Sequence, residues 1–378
     1  MSNKKNTINK NTRHQYEVFS SNSIRLSTSD WIVVAIVVIV VFLFAPVLWE
    51  RFEKVSTEPD FRMPYKLSND YYLYERLSRE ASSQYETLIV GDSFVWGHYV
   101  RRDRTLSHYL NEISSIERFA NLGIDGIHPA AMEGLIRYYG KAISNKNVIL
   151  HLNPLWMSSP KQDLTTDKEF NFNHPKLVPQ FRLEIPCYTA SFSTRFSNVL
   201  RRYNTLPNLI SHINITSFGN MNIPEWTIEN PYKNPIGAVT FNLPEADDYE
   251  QAESDTRGQV NASTNSYQWV EPEESLQWES FRRSVQLLRQ RQNRLFVLVG
   301  PFNEHTIEFE SMEAYRQLIS EIELWLGNNN IPYLIPEVLP ADLYRDASHP
   351  DGDGYAELAK QLYETSWFES VNTAESLD

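Results

Sequence analysis

The chain has 378 residues, 41% of them hydrophobic and 13% aromatic, enough to bury a substantial core in one large domain or two small ones. Its formal net charge of -13 argues against a nucleic-acid-binding protein, because phosphate binding needs a clustered excess of Lys and Arg. A single cysteine, Cys187, excludes an intramolecular disulfide and a thiolate metal site. It has no local catalytic partner, which favours a buried small side chain over a nucleophile.

An apolar run without charges covers residues 31–49, bracketed by Trp31 and Trp49. This length is enough to cross a bilayer as a helix, and the run lacks the polar face of a soluble helix. Basic residues outnumber acidic ones in residues 1–30, which places that segment in the cytoplasm by the positive-inside rule. No A-x-A cleavage site follows, which favours an uncleaved signal anchor over a cleaved signal peptide. The sequence predicts a single-pass membrane protein whose remaining chain is periplasmic or extracellular.

The flanking segments have the composition of tails and linkers. Residues 1–30 are rich in Asn, Ser, Lys and Thr, which predicts a disordered cytoplasmic tail, and we expect a second disordered tail at 371–378. Prolines and scattered charges in residues 50–69 favour a tether that lifts the following domain off the membrane. The folded domain is predicted to span residues 70–370.

Within that domain, predicted strands alternate with predicted helices. Short apolar runs predict strands at 85–91, 117–123, 147–153, 294–300 and 331–335. Periodic patterns predict helices at 70–85, 128–143, 276–292, 312–327 and 353–367, the second of them amphipathic. This order predicts a doubly wound α/β fold with a mainly parallel sheet.

The periodic signal weakens between residues 155 and 275, where Pro, Asn and Ser accumulate. A segment this long is expected to be an insertion that shapes the substrate site. Four aromatic residues are candidate walls of that site: Trp226, Tyr232, Tyr267 and Trp269. The alternative is that these aromatics only pack the insertion onto the core.

Two short motifs follow predicted strands and carry the candidate chemistry. Gly91-Asp92-Ser93 ends the first strand, and Asp346-Ala-Ser-His349 follows the last one. Ligands bind at the carboxyl ends of parallel strands. A serine nucleophile needs a base, and that base needs an orienting carboxylate. The sequence therefore predicts Ser93, His349 and Asp346 as a catalytic triad.

Other motifs are weaker. Gly91 and Gly97 lack the Lys-Ser/Thr of a phosphate loop, and the acidic turn at residues 351–354 departs from a calcium-binding loop. We therefore predict no metal and no cofactor. Three histidines at strand ends, His128, His151 and His305, could line the pocket or serve as hydrogen-bonded structural residues.

From Thr87 to about Trp367 the sequence resembles the SGNH hydrolase superfamily, the GDSL-like esterases, through its GDS serine, its C-terminal DxxH and two intermediate blocks. The resemblance implies a flavodoxin-like three-layer sandwich. It also implies an oxyanion hole formed by Ser93, Gly123 of Asn-Leu-Gly, and Asn153 of His-Leu-Asn-Pro. The third block departs from the family's GxND pattern around Asn153, which could instead be a strand-end cap, and Gly123 could be a turn glycine.

The resemblance and the anchor together suggest a function at the cell envelope. We expect ester hydrolysis or O-acyl (acetyl) transfer through a Ser93 acyl-enzyme, acting on an ester or glycan substrate. The acceptor, water or a sugar hydroxyl, stays open. Membrane-bound relatives imply a membrane acyltransferase partner that supplies acyl groups. The alternative is a catalytically silent scaffold that binds glycan or a membrane partner.

Overall fold

The computed structural model describes residues 26–55, 57–58, 60–178, 185–244 and 264–368. It divides into two units, Met1–Leu48 and Trp49–Asp378. The C-terminal tail predicted at 371–378 and most of the predicted cytoplasmic tail lie outside the described residues, as do residues 245–263 of the predicted insertion.

The N-terminal apolar run forms one helix, α1, from Thr28 to Phe52. Its 25 residues give a length of about 37 Å, which exceeds the hydrocarbon thickness of a bilayer. By length and composition α1 is able to span a membrane.

The domain is built on a five-stranded sheet that is parallel throughout. Its strands are β1 (Thr87–Gly91), β2 (Phe119–Gly123), β3 (Asn147–Leu152), β4 (Arg294–Val299) and β5 (Tyr333–Leu334). Their spatial order is β2-β1-β3-β4-β5, the order of flavodoxin-like doubly wound sheets. Each of the five predicted strands is present, and the prediction of a parallel α/β sheet is confirmed.

Eleven further α-helices complete the described part of the chain. They are α2 (Tyr71–Gln84), α3 (Ser93–Trp96), α4 (Leu106–Ser114), α5 (Pro129–Tyr138), α6 (Phe192–Tyr203), α7 (Thr205–Phe218), α8 (Ile223–Glu229), α9 (Pro235–Ala238), α10 (Leu276–Gln290), α11 (Phe309–Asn328) and α12 (Gly352–Tyr363). Side-chain caps fix several starts: Asp70 accepts the Leu73 N–H at α2, and Asp351 accepts the N–H groups of Asp353 and Gly354 at α12.

Alternate residues of each strand enter two separate cores. Leu88 and Val90 of β1 join the larger core, whereas Ile89 between them joins the second. The larger core includes residues of α2, α5, α10 and α11, and the second includes residues of α4 and α12. Helices therefore cover both faces of the sheet. The helix α5 was predicted to be amphipathic, and eight of its ten residues are buried because it packs against α10 and contributes to the larger core.

The segment predicted as a tether is instead largely packed into the domain. Glu53, Arg62, Met63 and Leu67 are all buried. The Arg62 guanidinium lies 4.1 Å from the Trp96 ring centre and donates to the Gly97 carbonyl at 2.7 Å. Pro64 is buried as well, and the charged groups of Glu53 and Arg62 find partners within the domain, so these residues make fixed contacts.

The predicted insertion folds into the helices α6 to α9 and contains no strand among its described residues. Trp226 is buried against Phe218, whereas Tyr232 is 99% exposed. The other two candidate wall residues, Tyr267 and Trp269, pack on Phe302. Tyr267 and Trp269 therefore pack onto the core, whereas Trp226 packs within the insertion.

A buried charge cluster joins α7 of the insertion to the chain that leaves α1. Both nitrogens of His212 meet carboxylates: Nδ1 lies 2.6 Å from Asp70 Oδ2, and Nε2 lies 2.9 Å from Glu53 Oε1. Glu53 also pairs with Arg76 of α2. The side chains of His212, Asp70 and Glu53 are at most 1% exposed. Because neither carboxylate can donate to the ring in its ionised form, His212 carries both protons here.

We predict that His212→Gln lowers stability and flattens its pH dependence. Burial lowers the pKa of His212, but hydrogen bonds and charges from Asp70 and Glu53 outweigh burial and raise the pKa to about 9 from 6.5. A raised folded-state pKa contributes stability that is fully present below the unfolded pKa and is lost as pH rises through the folded value. The contribution is on the order of 3 kcal/mol.

The change in stability is measured by thermal unfolding of the full chain in detergent micelles, followed by circular dichroism between pH 6.5 and about 9. The wild-type melting temperature should fall with rising pH more steeply than that of His212→Gln. The control Glu357→Gln, which alters an exposed pair with Lys360, should follow the wild type. Parallel profiles for wild type and His212→Gln would refute the charged state of His212.

Candidate active site

The candidate nucleophile lies where β1 ends. Asp92 caps α3 by accepting the Phe94 N–H at 3.0 Å, and Ser93 is the first residue of this short helix. Gly97 ends α3 with a φ of 90°, and its N–H donates to the Ser93 carbonyl at 3.0 Å. This strand–helix turn holds Ser93 at the carboxyl edge of the sheet, as predicted for that position.

Two glycines allow α3 to lie directly against the strand ends. A Cβ at Gly91 would come within 2.3 Å of Val95 Cγ2, and one at Gly123 would come within 2.3 Å of the Trp96 backbone nitrogen. A hydrogen bond also joins β2 to α3, because the side-chain amide of Asn121 donates to the Val95 carbonyl at 2.7 Å. The close approach requires glycine at both strand ends.

A second loop, after β5, carries the candidate base and its carboxylate. Asp346 Oδ1 accepts the N–H groups of Ser348 at 2.8 Å and His349 at 2.9 Å, which folds the loop around the carboxylate. Asn303, from the loop after β4, makes two hydrogen bonds to this turn. Its backbone N–H donates to the Ala347 carbonyl at 2.8 Å, and its side-chain amide donates to the Asp346 carbonyl at 3.3 Å.

The two loops bring the three predicted residues into one hydrogen-bonded chain. His349 Nε2 lies 2.8 Å from Ser93 Oγ, and His349 Nδ1 lies 2.8 Å from Asp346 Oδ2. Ser93 and His349 are each 8% exposed. A carboxylate on Nδ1 fixes the tautomer that leaves Nε2 able to accept the serine proton.

The electrostatics of the pair match this arrangement. Burial lowers the pKa of His349, but the charge and hydrogen bond of Asp346 outweigh it, helped by Asp92 and Asp125, and the net pKa is raised above 6.5. Burial raises the pKa of Asp346, yet His349 and two backbone N–H groups hold it below its usual 3.8. Both pKa shifts therefore favour a charged pair of Asp346 and His349.

The two residues expected in the oxyanion hole differ in their surroundings. The Gly123 N–H donates to the Asn121 side-chain oxygen at 2.9 Å, so in this conformation it is already engaged within its own strand. Asn153 lies beside the nucleophile: its amide nitrogen donates to Asp92 Oδ2 at 3.0 Å, and its oxygen caps the Leu155 N–H at 3.0 Å. Gly123 therefore acts through close packing, whereas Asn153 is both a cap and a neighbour of the site.

A buried polar cluster surrounds Asp92. Its Oδ2 also accepts from Trp156 Nε1 at 2.9 Å, and its Oδ1 lies 3.0 Å from His151 Nδ1. His151 Nε2 faces the Gly300 carbonyl at 3.0 Å. Burial raises the pKa of Asp92, but His151, the Trp156 hydrogen bond and His349 lower it more, to about 2. His151 occupies the position at which the third block departs from the family pattern, and there it faces this carboxylate.

The other strand-end histidines make structural contacts. His128 is buried, which lowers its pKa to about 4, and its Nε2 lies 3.1 Å from the Asn173 carbonyl. His305 Nε2 lies 3.1 Å from the Leu339 carbonyl. Among the described residues no group of three or more His, Cys, Asp or Glu side chains is arranged to hold a metal ion.

Sequence reasoning missed a second imidazole at the site. His98, just beyond the end of α3, has its ring centre 5.1 Å from that of His349. Its Nδ1 lies 2.7 Å from Asp125 Oδ1, on the loop after β2. The available signal was position alone, since His98 follows Ser93 by five residues and Asp125 lies just after a predicted strand.

Comparison with known proteins leaves this geometry as the main guide to function. No protein-family model matches the chain, and no curated protein matches it.

We predict that Asp92→Asn destabilises the protein by about 1–3 kcal/mol, the usual cost of leaving buried hydrogen-bond donors without their acceptor. The asparagine side chain keeps only one acceptor oxygen. Its NH₂ group would face the amide of Asn153, the indole N–H of Trp156 or the ring of His151, where the carboxylate oxygen now lies. Chemical denaturation in micelles measures the change. The control Asp103→Asn, whose partner Arg101 is half exposed, should cost less than about 1 kcal/mol. Equal costs for the two variants would contradict the role given to Asp92.

Proposed function

We propose that the protein catalyses Ser93-dependent ester hydrolysis or O-acyl transfer, as an SGNH-like enzyme with a three-layer α/β domain. The supporting observation is the unbroken hydrogen-bonded chain from Ser93 Oγ through His349 to Asp346, with distances of 2.8 Å at both links. A buried serine bonded to an imidazole that is itself bonded to a carboxylate meets the geometric requirement for nucleophilic catalysis.

In the acylation step His349 Nε2 takes the proton of Ser93 as the hydroxyl oxygen attacks the ester carbonyl. Asp346 stabilises the imidazolium that forms. His349 then returns the proton to the leaving alcohol, and an acyl-Ser93 intermediate remains. Water or an acceptor hydroxyl attacks this intermediate with His349 as base, which restores free Ser93.

The oxyanion that forms during attack needs donors near Ser93. The Ser93 N–H is suited to this, because the first N–H groups of a helix have no acceptor within the helix. Asn153 has two amide protons, of which one is directed at Asp92, and the second is the side-chain donor that we assign. The Gly123 N–H would first have to leave Asn121, so we do not assign it a role in this conformation.

The apolar helix α1 supports the proposal that this chemistry acts at the cell envelope. A single membrane-spanning α1 with its N-terminus in the cytoplasm would put the domain on the periplasmic or extracellular side. Tethering raises the local concentration of membrane-proximal esters and glycans. For the transfer reaction, a membrane acyltransferase partner would supply the acyl group.

Labelling and turnover test the proposal directly. The full chain in micelles should react with a fluorophosphonate probe and release p-nitrophenol from its acetate ester. Ser93→Ala should abolish labelling, and Ser93→Ala and His349→Ala should each reduce kcat/KM by at least about 10³-fold. The control Ser82→Ala, which removes a hydroxyl bonded only to the Ser78 carbonyl, should behave as wild type. Folded wild-type protein with neither labelling nor turnover would favour a scaffold that binds glycan or a membrane partner.

Turnover should rise with pH. His349 accepts a proton only in its neutral form, so activity is lost as pH falls through its pKa, which lies above 6.5. Asp346→Asn removes the largest raising influence, and the inflection should move to lower pH while the plateau rate falls by about 10³–10⁴-fold. The pH profiles of kcat/KM for the two proteins measure this. An inflection that does not move would show that Asp346 does not set the pKa of His349.

A further inference from the structure

The insertion helix α6 carries an apolar stripe that the rest of the described chain leaves largely exposed. Four large side chains recur along it at helical spacing and are 45–71% exposed: Phe192, Phe196, Leu200 and Tyr203. Residues three and four positions apart share one face of a helix. In agreement with this, the Phe192 and Phe196 rings stack with their centres 6.4 Å apart. The helix α6 therefore presents an apolar face to solvent.

The region around α6 is depleted of acidic residues. Residues 185–224 contain no Asp or Glu, although the whole chain has 48 of them, and they contain Arg195, Arg201 and Arg202. Arg195 donates to the Ala190 carbonyl at 2.8 Å, and Arg202 donates to the Val178 carbonyl at 2.8 Å, so neither charge is neutralised by these contacts. The chain as a whole is negative, but this region suits an anionic surface.

Arg201 and Lys176 supply cations that can meet a ligand. Both line a pocket between α2, α6 and α7, and neither forms an ion pair or a side-chain hydrogen bond with another described residue. Partial burial and the charge of Arg201 lower the pKa of Lys176. The buried side chain of Asn198 lines the same pocket and also lacks a partner among the described residues. Asp70 lines it too, but His212 already holds that carboxylate. Two cations and an amide suit a phosphate group.

The end of α1 lies close to this region. The helix α7 follows α6 after the single residue Asn204, and its His212 binds Glu53, the residue after α1. From Thr205 to His212 the helix rises about 10 Å. The Trp49 ring, at the end of the apolar run, meets the His212 ring edge-on with centres 6.1 Å apart. Because a membrane-spanning α1 would leave the bilayer near Trp49, α6 is held within reach of the lipid headgroups.

We propose that α6 docks on the anionic lipid surface of the membrane that α1 enters. The apolar stripe enters the headgroup region, and Arg201 and Lys176 bind lipid phosphates. An amphipathic helix with an apolar face and basic flanks binds anionic bilayers in this way. The contact goes beyond the proposed acyl chemistry and does not depend on Ser93. It fixes the orientation of the domain on the membrane, which a single anchor helix leaves free.

Site-specific labelling in lipid nanodiscs tests the contact. The full chain with Cys187→Ala also carries Phe196→Cys or Leu324→Cys, and the new cysteine is labelled with the environment-sensitive dye NBD. Leu324 is a matched control because it is apolar and 63% exposed but lies on α11, outside the insertion. The discs contain phosphatidylcholine alone or mixed with phosphatidylglycerol, and some of the lipid carries an acyl-chain nitroxide that quenches the dye on contact. In anionic discs the dye at position 196 should be quenched at least about twofold more than the dye at position 324.

Removal of single charges distinguishes phosphate binding from apolar adsorption. Arg201→Gln and Lys176→Gln should each lower the ratio of docked to undocked protein by about fivefold, the effect of one cation at an anionic surface. Lys360→Gln, which removes an exposed cation of α12, should behave as wild type.

Equal quenching at positions 196 and 324, or the same quenching at position 196 in neutral and anionic discs, would overturn the proposal. So would a blue-shifted but unquenched dye at position 196, because a protein and not lipid would then cover α6. A chain that does not stay with the discs would refute both the anchor and the docking. Ser93→Ala should dock like the wild type, so a failure of fluorophosphonate labelling would refute the acyl chemistry and leave the docking intact.

Discussion

The arrangement of the site depends on the buried carboxylate of Asp92. It caps α3 and so sets the direction of Ser93, and it accepts hydrogen bonds from Asn153 and Trp156 beyond the end of β3. One side chain therefore fixes the ends of two adjacent strands to the helix that carries Ser93. A buried carboxylate is tolerated only where several donors compensate its desolvation, and here they come from the backbone, an amide, an indole and an adjacent imidazole.

Four histidine–carboxylate pairs of the described residues differ in burial and in what the second ring nitrogen faces. His151 and His212 have both ring nitrogens facing protein oxygens and lie in the interior, so their contacts hold elements of the fold together. His349 differs because its second nitrogen faces a hydroxyl, which can give up a proton. His98 differs again, since its pair with Asp125 lies partly in solvent beside the triad.

The strands and the proximity of Ser93, His349 and Asp346 could be predicted from sequence because each depends on local pattern. Residues 148–152 are apolar except for His151, a pattern that favours a buried strand, and parallel strands bring the motifs after β1 and β5 to one edge. Asp346 and His349 share a loop, so their pairing needed no long-range information.

Properties that depend on distant partners could not be predicted in this way. The Gly123 N–H bonds to Asn121 because that side chain is turned by the Val95 carbonyl of α3. The contact of His98 with Asp125 forms only because the fold brings the loops after β1 and β2 side by side. The charges at residues 50–69 indicated a linker, since nothing local shows that Glu53 meets a histidine 159 positions later.

That long-range contact gives the insertion a role other than the one its aromatics suggested. Its helix α7 supplies His212, which binds Glu53 just after α1 and Asp70 at the start of α2. Trp49, in the last turn of α1, has its ring centre 4.5 Å from that of Phe241, also in the insertion. The His212 contacts are buried and charged, and they fix Glu53 and Asp70 to α7, whereas the Trp49–Phe241 contact is partly exposed. The described part of the insertion is therefore better understood as a support for the start of the domain than as the pocket wall that its aromatics suggested.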